Sequence, residues 1–138
     1  MFGTLDISAS ALAAQRVRMD TVAANVANMN TTRDADGQVA PYRRRFVVFA
    51  AGQGPRGADA GKPGVHVQEV ALDQTTPFNK KYDPGHQDAG ADGYVRMPNV
   101  NMATEMVNAI EASRAYEANV TTMEVTKAMM NATLRLLA

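Results

Sequence analysis

Two histidines, scattered aspartates, one run of arginines and one glycine-rich segment are the main groups in this 138-residue sequence that could do chemistry. A metal site would need His66, His86, Asp83, Asp88 and Asp92 to converge from separate loop positions, and Tyr82-Asp-Pro-Gly-His86 reads instead as a tight turn with a structural histidine. Asp34-Ala-Asp36-Gly37 begins like a calcium loop, but no further ligands and no closing glutamate follow, so it is read as a turn. Gly52-Gln-Gly-Pro-Arg-Gly57 has the spelling of a dinucleotide fingerprint. Pro55 and the Gly/Pro-rich run after it leave no helix whose N-terminal amides could face a pyrophosphate. Gly61-Lys62 is followed by Pro63 where a phosphate-binding loop needs Ser or Thr. Arg43, Arg44 and Arg45 read as a strand edge answering nearby carboxylates rather than as a phosphate contact.

The sequence has no cysteine, which removes thiolate nucleophiles, thiolate metal sites and disulfides together. No serine, histidine and acid constellation suggests itself. The expectation is a protein that is not an enzyme, with no cofactor and no metal. Fourteen basic and fourteen acidic residues cancel, so bulk charge offers nothing to nucleic acid or to an anionic membrane. No stretch approaches the ~18 consecutive apolar residues of a membrane span, and the polar-interrupted start Met-Phe-Gly-Thr-Leu-Asp is not read as a cleavable signal.

What the sequence does carry is helical periodicity at both ends. Leu5, Leu12, Met19 and Val26 recur every seventh residue, and Val22 and Met29 fill the alternate position, which predicts a helix within residues 1–30 starting near Asp6 or Ser8. Near the C-terminus Met102, Met106, Ala109, Ser113, Tyr116, Val120, Met123, Lys127, Met130, Leu134 and Leu137 follow spacings of four and three, with Val107 and Ile110 beside them. This heptad seam predicts a helix over 101–138, capped by Asn101 and helped at its positive end by Glu105. Nine methionines and few aromatics suit irregular helix contacts better than a rigid core.

Residues 31–100 change to Gly, Pro, Asp and Asn with short apolar runs. Tyr42–Ala50 and Val65–Leu72 read as two strands of a hairpin joined by a Gly/Pro-rich loop. The expected fold is mainly α with a small β region: two long terminal helices forming an α-helical coiled coil, around an irregular middle segment. A helix of some 36 residues spans on the order of 54 Å, whereas a compact chain of this length has a radius of gyration of about 14 Å. Part of the seam is therefore expected to meet another molecule.

Several stretches resemble the bacterial flagellar rod and hook family of axial proteins. Ala11 to Asn30, above all Asn25-Val-Ala-Asn-Met-Asn30, is similar to the family's N-terminal signature. Pro41-Tyr-Arg-Arg-Arg45, Tyr82-Asp-Pro-Gly-His86, Gly93-Tyr-Val95, Pro98-Asn-Val-Asn101 and Ser113-Arg-Ala-Tyr-Glu-Ala-Asn-Val120 resemble its proximal-rod members. The chain departs from the pattern at Met29-Asn-Thr-Thr-Arg33 and at Gln87.

The resemblance implies a structural subunit of the periplasmic rod in the flagellar basal body, exported by the flagellar type III apparatus without a cleaved signal. Its partners would be copies of itself and other rod proteins, with no nucleic acid and no membrane insertion. The implied assembly interface comprises Leu5, Leu12, Met19, Val22 and Val26 of the first helix with Met106, Ile110, Tyr116, Val120, Met123, Met130 and Leu134 of the second. Asn25, Asn28, Arg114 and Asn119 would fix register by hydrogen bonds. The rival readings are a coiled-coil adaptor or secretion-system rod component, which lacks the 82–101 signatures, and a small metal- or ligand-binding domain built on the loop histidines.

Overall fold

The computed structural model describes residues 2–52 and 62–137. The Gly/Pro-rich segment expected as the hairpin loop, including most of Gly52–Gly57, falls outside the described residues. Helix α1 (Phe2–Ala27) begins several residues before the expected cap, because nothing between Gly3 and Ser8 breaks a helix; Ser8 is buried within it. Helix α2 (Met102–Leu137) starts where expected. Asn101 Oδ1 accepts the amides of Ala103 and Thr104 at 2.9 and 3.2 Å, satisfying donors that the first turn leaves open.

The two expected strands form a hairpin. β1 (Arg45–Ala51) pairs antiparallel with β2 (Val65–Leu72), from Arg45 opposite Leu72 to Ala51 opposite Val65, with a register irregularity between Val48 and Phe49. This hairpin packs on α1, where Ser10 Oγ receives the Val65 amide at 3.1 Å. A second hairpin, β3 (Asn79–Tyr82) with β4 (Tyr94–Met97), has no counterpart in the sequence reading. Its strands are four residues long and only Val95 is fully buried, so no alternation is long enough to read. The turn between them holds Gly93 at φ 75°, and a Cβ there would meet the Tyr82 ring at 2.9 Å; glycine is required on both counts.

Helices α1 and α2 run antiparallel, as the bonds from Asn25 to Glu105 and from Arg18 to Glu111 fix. Small side chains sit at the contact: Ala112 is fully buried and Ala14 nearly so. The buried apolar side chains among the described residues are otherwise few: Val95 and Pro98, fully buried, and Val22 and Val100, nearly so. The chain exposes 9262 Å², whereas a compact monomer of 14.8 kDa would expose about 7,000 Å².

The two helices differ in length, 26 residues against 36. With Asn25 beside Glu105, the start of α1 falls opposite residues near 127, and the last turns of α2 run on without α1 beside them. Among the described residues, no helix is long and apolar enough to cross a membrane.

Candidate assembly interface

Two faces of α2 must be distinguished. The face turned to α1 carries Glu105, Ala109, Ala112, Tyr116, Asn119, Met123, Thr126 and Met130, all buried or half-buried and spaced by four and three. Four of the eleven expected seam positions coincide with it, 109, 116, 123 and 130. Four others shift by one residue: 105, 112, 119 and 126 face α1 more directly than 106, 113, 120 and 127. Hydrophobicity favoured Met106 and Val120, but a close helix contact selects the small Ala112 and accepts polar groups that find partners.

Met106, displaced from that face, joins other exposed apolar residues elsewhere on the helix. Met106, Val107, Ile110, Val125 and Met129 are 53–59% exposed. At ~100° per residue Val107, Ile110 and Val125 lie on the side away from α1. Leu134, 63% exposed, lies on the overhanging end. Exposed apolar side chains are ordinary one by one, but here they gather in two clusters, Met106, Val107 and Ile110 near the start of α2 and Val125 and Met129 further on, with the exposed Arg114, Glu117 and Thr121 between them; such clusters mark contact surfaces.

The other residues expected at the interface are divided between the two helices. Leu5, Leu12, Met19 and Val26 are half-buried on α1, and Val22 is buried. Tyr116, Val120, Met123 and Met130 are half-buried on α2, and Arg114 is exposed. Asn28 Nδ2 donates to Ala24 O at 2.9 Å and its Oδ1 accepts from Thr31 Oγ1 at 3.1 Å, finishing α1. Asn119 Nδ2 donates to Ala115 O, one turn back, at 2.7 Å.

Asn25 has a different place. Its side chain, 1% exposed, donates from Nδ2 to Arg45 O at 2.8 Å and to Glu105 Oε2 at 2.9 Å. Its Oδ1 accepts from Arg45 N at 2.9 Å and from the Tyr42 hydroxyl at 3.1 Å. Glu105, fully buried, receives Arg44 Nε on its other oxygen at 2.7 Å. The Arg44 amide donates to Asn99 Oδ1 at 2.8 Å, and Asn99 Nδ2 reaches the carbonyls of Asp73 and Thr76. One polar joint thus ties the end of α1, the entry to β1, the exit of β2 and the start of α2. Burial raises the Tyr42 phenol above its ordinary pKa, with the Glu105 charge adding and the Arg45 charge opposing.

Each arginine of the triplet has its own role. Arg44 holds Glu105; Arg43 donates to Asp73 O at 2.9 Å and lies 4.3 Å over the Phe78 ring; Arg45 stands 5.6 Å from the Tyr42 ring centroid. Sequence reading placed them on an exposed edge and missed Arg44, Asn99 and Glu105 as joint residues. The signal available was the pair of motifs Pro41–Arg45 and Pro98–Asn101, whose residues meet here. Both histidines and several aspartates are bonded within the fold. Asp34 Oδ1 accepts the amides of Asp36 and Gln38 in a turn. His66 Nδ1 bonds the Gly52 carbonyl at 2.8 Å, and His86 Nδ1 receives the Asp88 amide at 3.1 Å. Asp88 is bound by Thr32 Oγ1 at 2.7 Å and by the Arg33 guanidinium, which holds its carboxyl below the ordinary range; this clasp joins the segment after α1 to the loop before β4.

Asp73 closes the turn after β2. The Thr76 amide and hydroxyl, then the Thr75 hydroxyl, lower its pKa from 3.8 to about 2. Because the folded value lies below the unfolded one, the stability it contributes is complete above pH ~4 and is lost as pH falls through ~2. Asp73→Asn is expected to flatten the stability curve in this window. Acid titration of the unfolding midpoint checks it, and an unchanged slope counts against the turn.

The helix pair, its polar hub and the small hairpins make a subunit with apolar surface left over, and comparison with known proteins gives its class. The family description "Flagella basal body rod protein" matches residues 5–33, and "Flagellar basal body rod FlgEFG protein C-terminal" matches residues 91–136. The flagellar basal-body rod protein FlgC of Bacillus subtilis is 45% identical, covering 94% of this chain and 93% of its own. FlgC of Yersinia enterocolitica is 43% identical over 99% and 97%, and that of Aquifex aeolicus 40% over 96% and 94%. The chain belongs to the FlgC family of flagellar basal-body rod proteins.

Proposed function

We infer that the chain is a structural, non-enzymatic subunit of the proximal rod of the flagellar basal body, built into the shaft that carries torque. The observation that carries this reading is the similarity to FlgC proteins over nearly the whole chain; the two exposed apolar clusters of α2, Met106 to Ile110 and Val125 with Met129, offer surface to neighbouring subunits beyond the face that α1 occupies.

Copies of the chain and other rod proteins are its partners. Residues of both helices named above, Leu12, Met19, Val120 and Leu134 among them, contribute to a coiled-coil packing that continues from one subunit to the next. Each side chain newly buried contributes about 1.5–3 kcal/mol, so a stiff shaft arises from many modest contacts. The rod lies in the periplasm, and the subunit reaches it through the flagellar export apparatus.

Deleting the chromosomal copy is expected to abolish swimming and to leave basal bodies without a complete rod, with both restored by the intact chain supplied in trans. Motile deletion cells with normal rods in electron micrographs would refute the reading.

A further inference from the structure

The outer face of the second hairpin carries groups that nothing else in the chain uses. Lys80 pairs with Arg96 and Tyr82 with Tyr94. Directly opposite residues of an antiparallel pair share a face, so all four side chains stand on one surface. Like charges placed opposite one another cost stability. Neither cation is within ion-pair distance of an acid among the described residues, while the adjacent Lys81 reaches Asp83 at 3.6 Å.

The tyrosines are 64% and 45% exposed, with their rings edge to face at 5.2 Å. Val39, 57% exposed, lines the same shallow concavity as Lys80, Tyr94 and Arg96. Asp88 and Asp92 line it too, but Asp88 is occupied by Thr32 and Arg33, and Asp92 accepts the Tyr94 amide at 3.3 Å.

We propose that this face docks a carboxylate-bearing segment of a protein neighbour in the assembled rod. With Asp88 neutralised by Arg33, Lys80 and Arg96 outnumber the one remaining acid of the concavity, Asp92, and this excess of positive charge favours a carboxylate; exposed tyrosine with arginine and an apolar flank is the composition of protein contact hot spots. The proposal rests on the rod reading above.

The test places a photoreactive phenylalanine at Tyr82 of the full chain in cells, followed by illumination, purification of basal bodies and mass spectrometry. The expected product joins this face to an Asp- or Glu-bearing peptide of a basal-body protein. Its yield falls about tenfold or more in Lys80→Glu/Arg96→Glu, since losing a charge contact costs a few kcal/mol. Where that variant fails to enter basal bodies, Lys80→Gln/Arg96→Gln removes the attraction without adding repulsion and shows the same fall. A chain present in basal bodies that gives no product, a product insensitive to both charge changes, or a product with a glycan overturns the docking surface alone. A chain absent from wild-type basal bodies overturns the rod reading and this proposal with it.

Discussion

Glu105→Ala is expected to lower the stability of the isolated chain by about 3 kcal/mol, because removing one partner of a buried pair strands the other. The substitution leaves Arg44 Nε without its acceptor and takes from Asn25 one of the two acceptors of its amide group. Arg44 keeps some access to water, its side chain being 21% exposed, but Asn25 has none to speak of. Small domains are stable by only about 5–15 kcal/mol, and this one buries few apolar side chains against that loss. Urea unfolding followed by circular dichroism measures it: with a slope of about 1–3 kcal/mol per molar, the midpoint drops by at least ~1 M. Glu105→Gln keeps the shape and one acceptor oxygen and falls between. A midpoint that does not move would show that the joint holds nothing together.

Ile110→Asp is expected to do the reverse, leaving the isolated chain intact and preventing assembly. Ile110 is 53% exposed in the first apolar cluster of α2, so an aspartate there changes monomer stability by no more than ~0.5 kcal/mol. Buried against a neighbouring subunit, the same carboxylate would lose its water without a partner, at a cost of several kcal/mol in each subunit. Cells carrying the substitution are expected not to swim and to lack complete rods, while the chain accumulates normally and its unfolding midpoint is that of wild type. Normal swimming would remove that cluster from the interface. A fallen midpoint would mean instead that Ile110 supports the fold.

The ends of the chain were legible because their signals are local and long. Asn101 before a run of helix formers and the repeat through Ala109, Tyr116, Met123 and Met130 located α2 and half of its packed face. The first hairpin was legible from Phe46 to Phe49 and Val65 to Leu72, where β-branched and aromatic residues cluster. The joint was not. A glutamate on a helix reads as solvent-facing, and Glu105 is buried only because Arg44 and Asn25 arrive from parts of the chain that no short window contains. The shift of register in α2 has the same origin: an apolar scale ranks Met106 above Ala112, whereas close approach of two helices prefers the smaller side chain. The second hairpin was hidden by its brevity.

The bond between Asn25 and Glu105 spans 80 residues of sequence, and that separation orders the folding of the molecule. Each hairpin closes a short loop and forms on the order of microseconds. Joining residues this far apart costs chain entropy that grows with the logarithm of the loop and is repaid only once the contact is made. The first hairpin, lying between the two helices in sequence, shortens the effective loop, so its formation before helix pairing speeds the final step. The expected kinetics are a fast β signal followed by a slower one reporting the helix pair, and the second phase alone slows when Glu105 is removed.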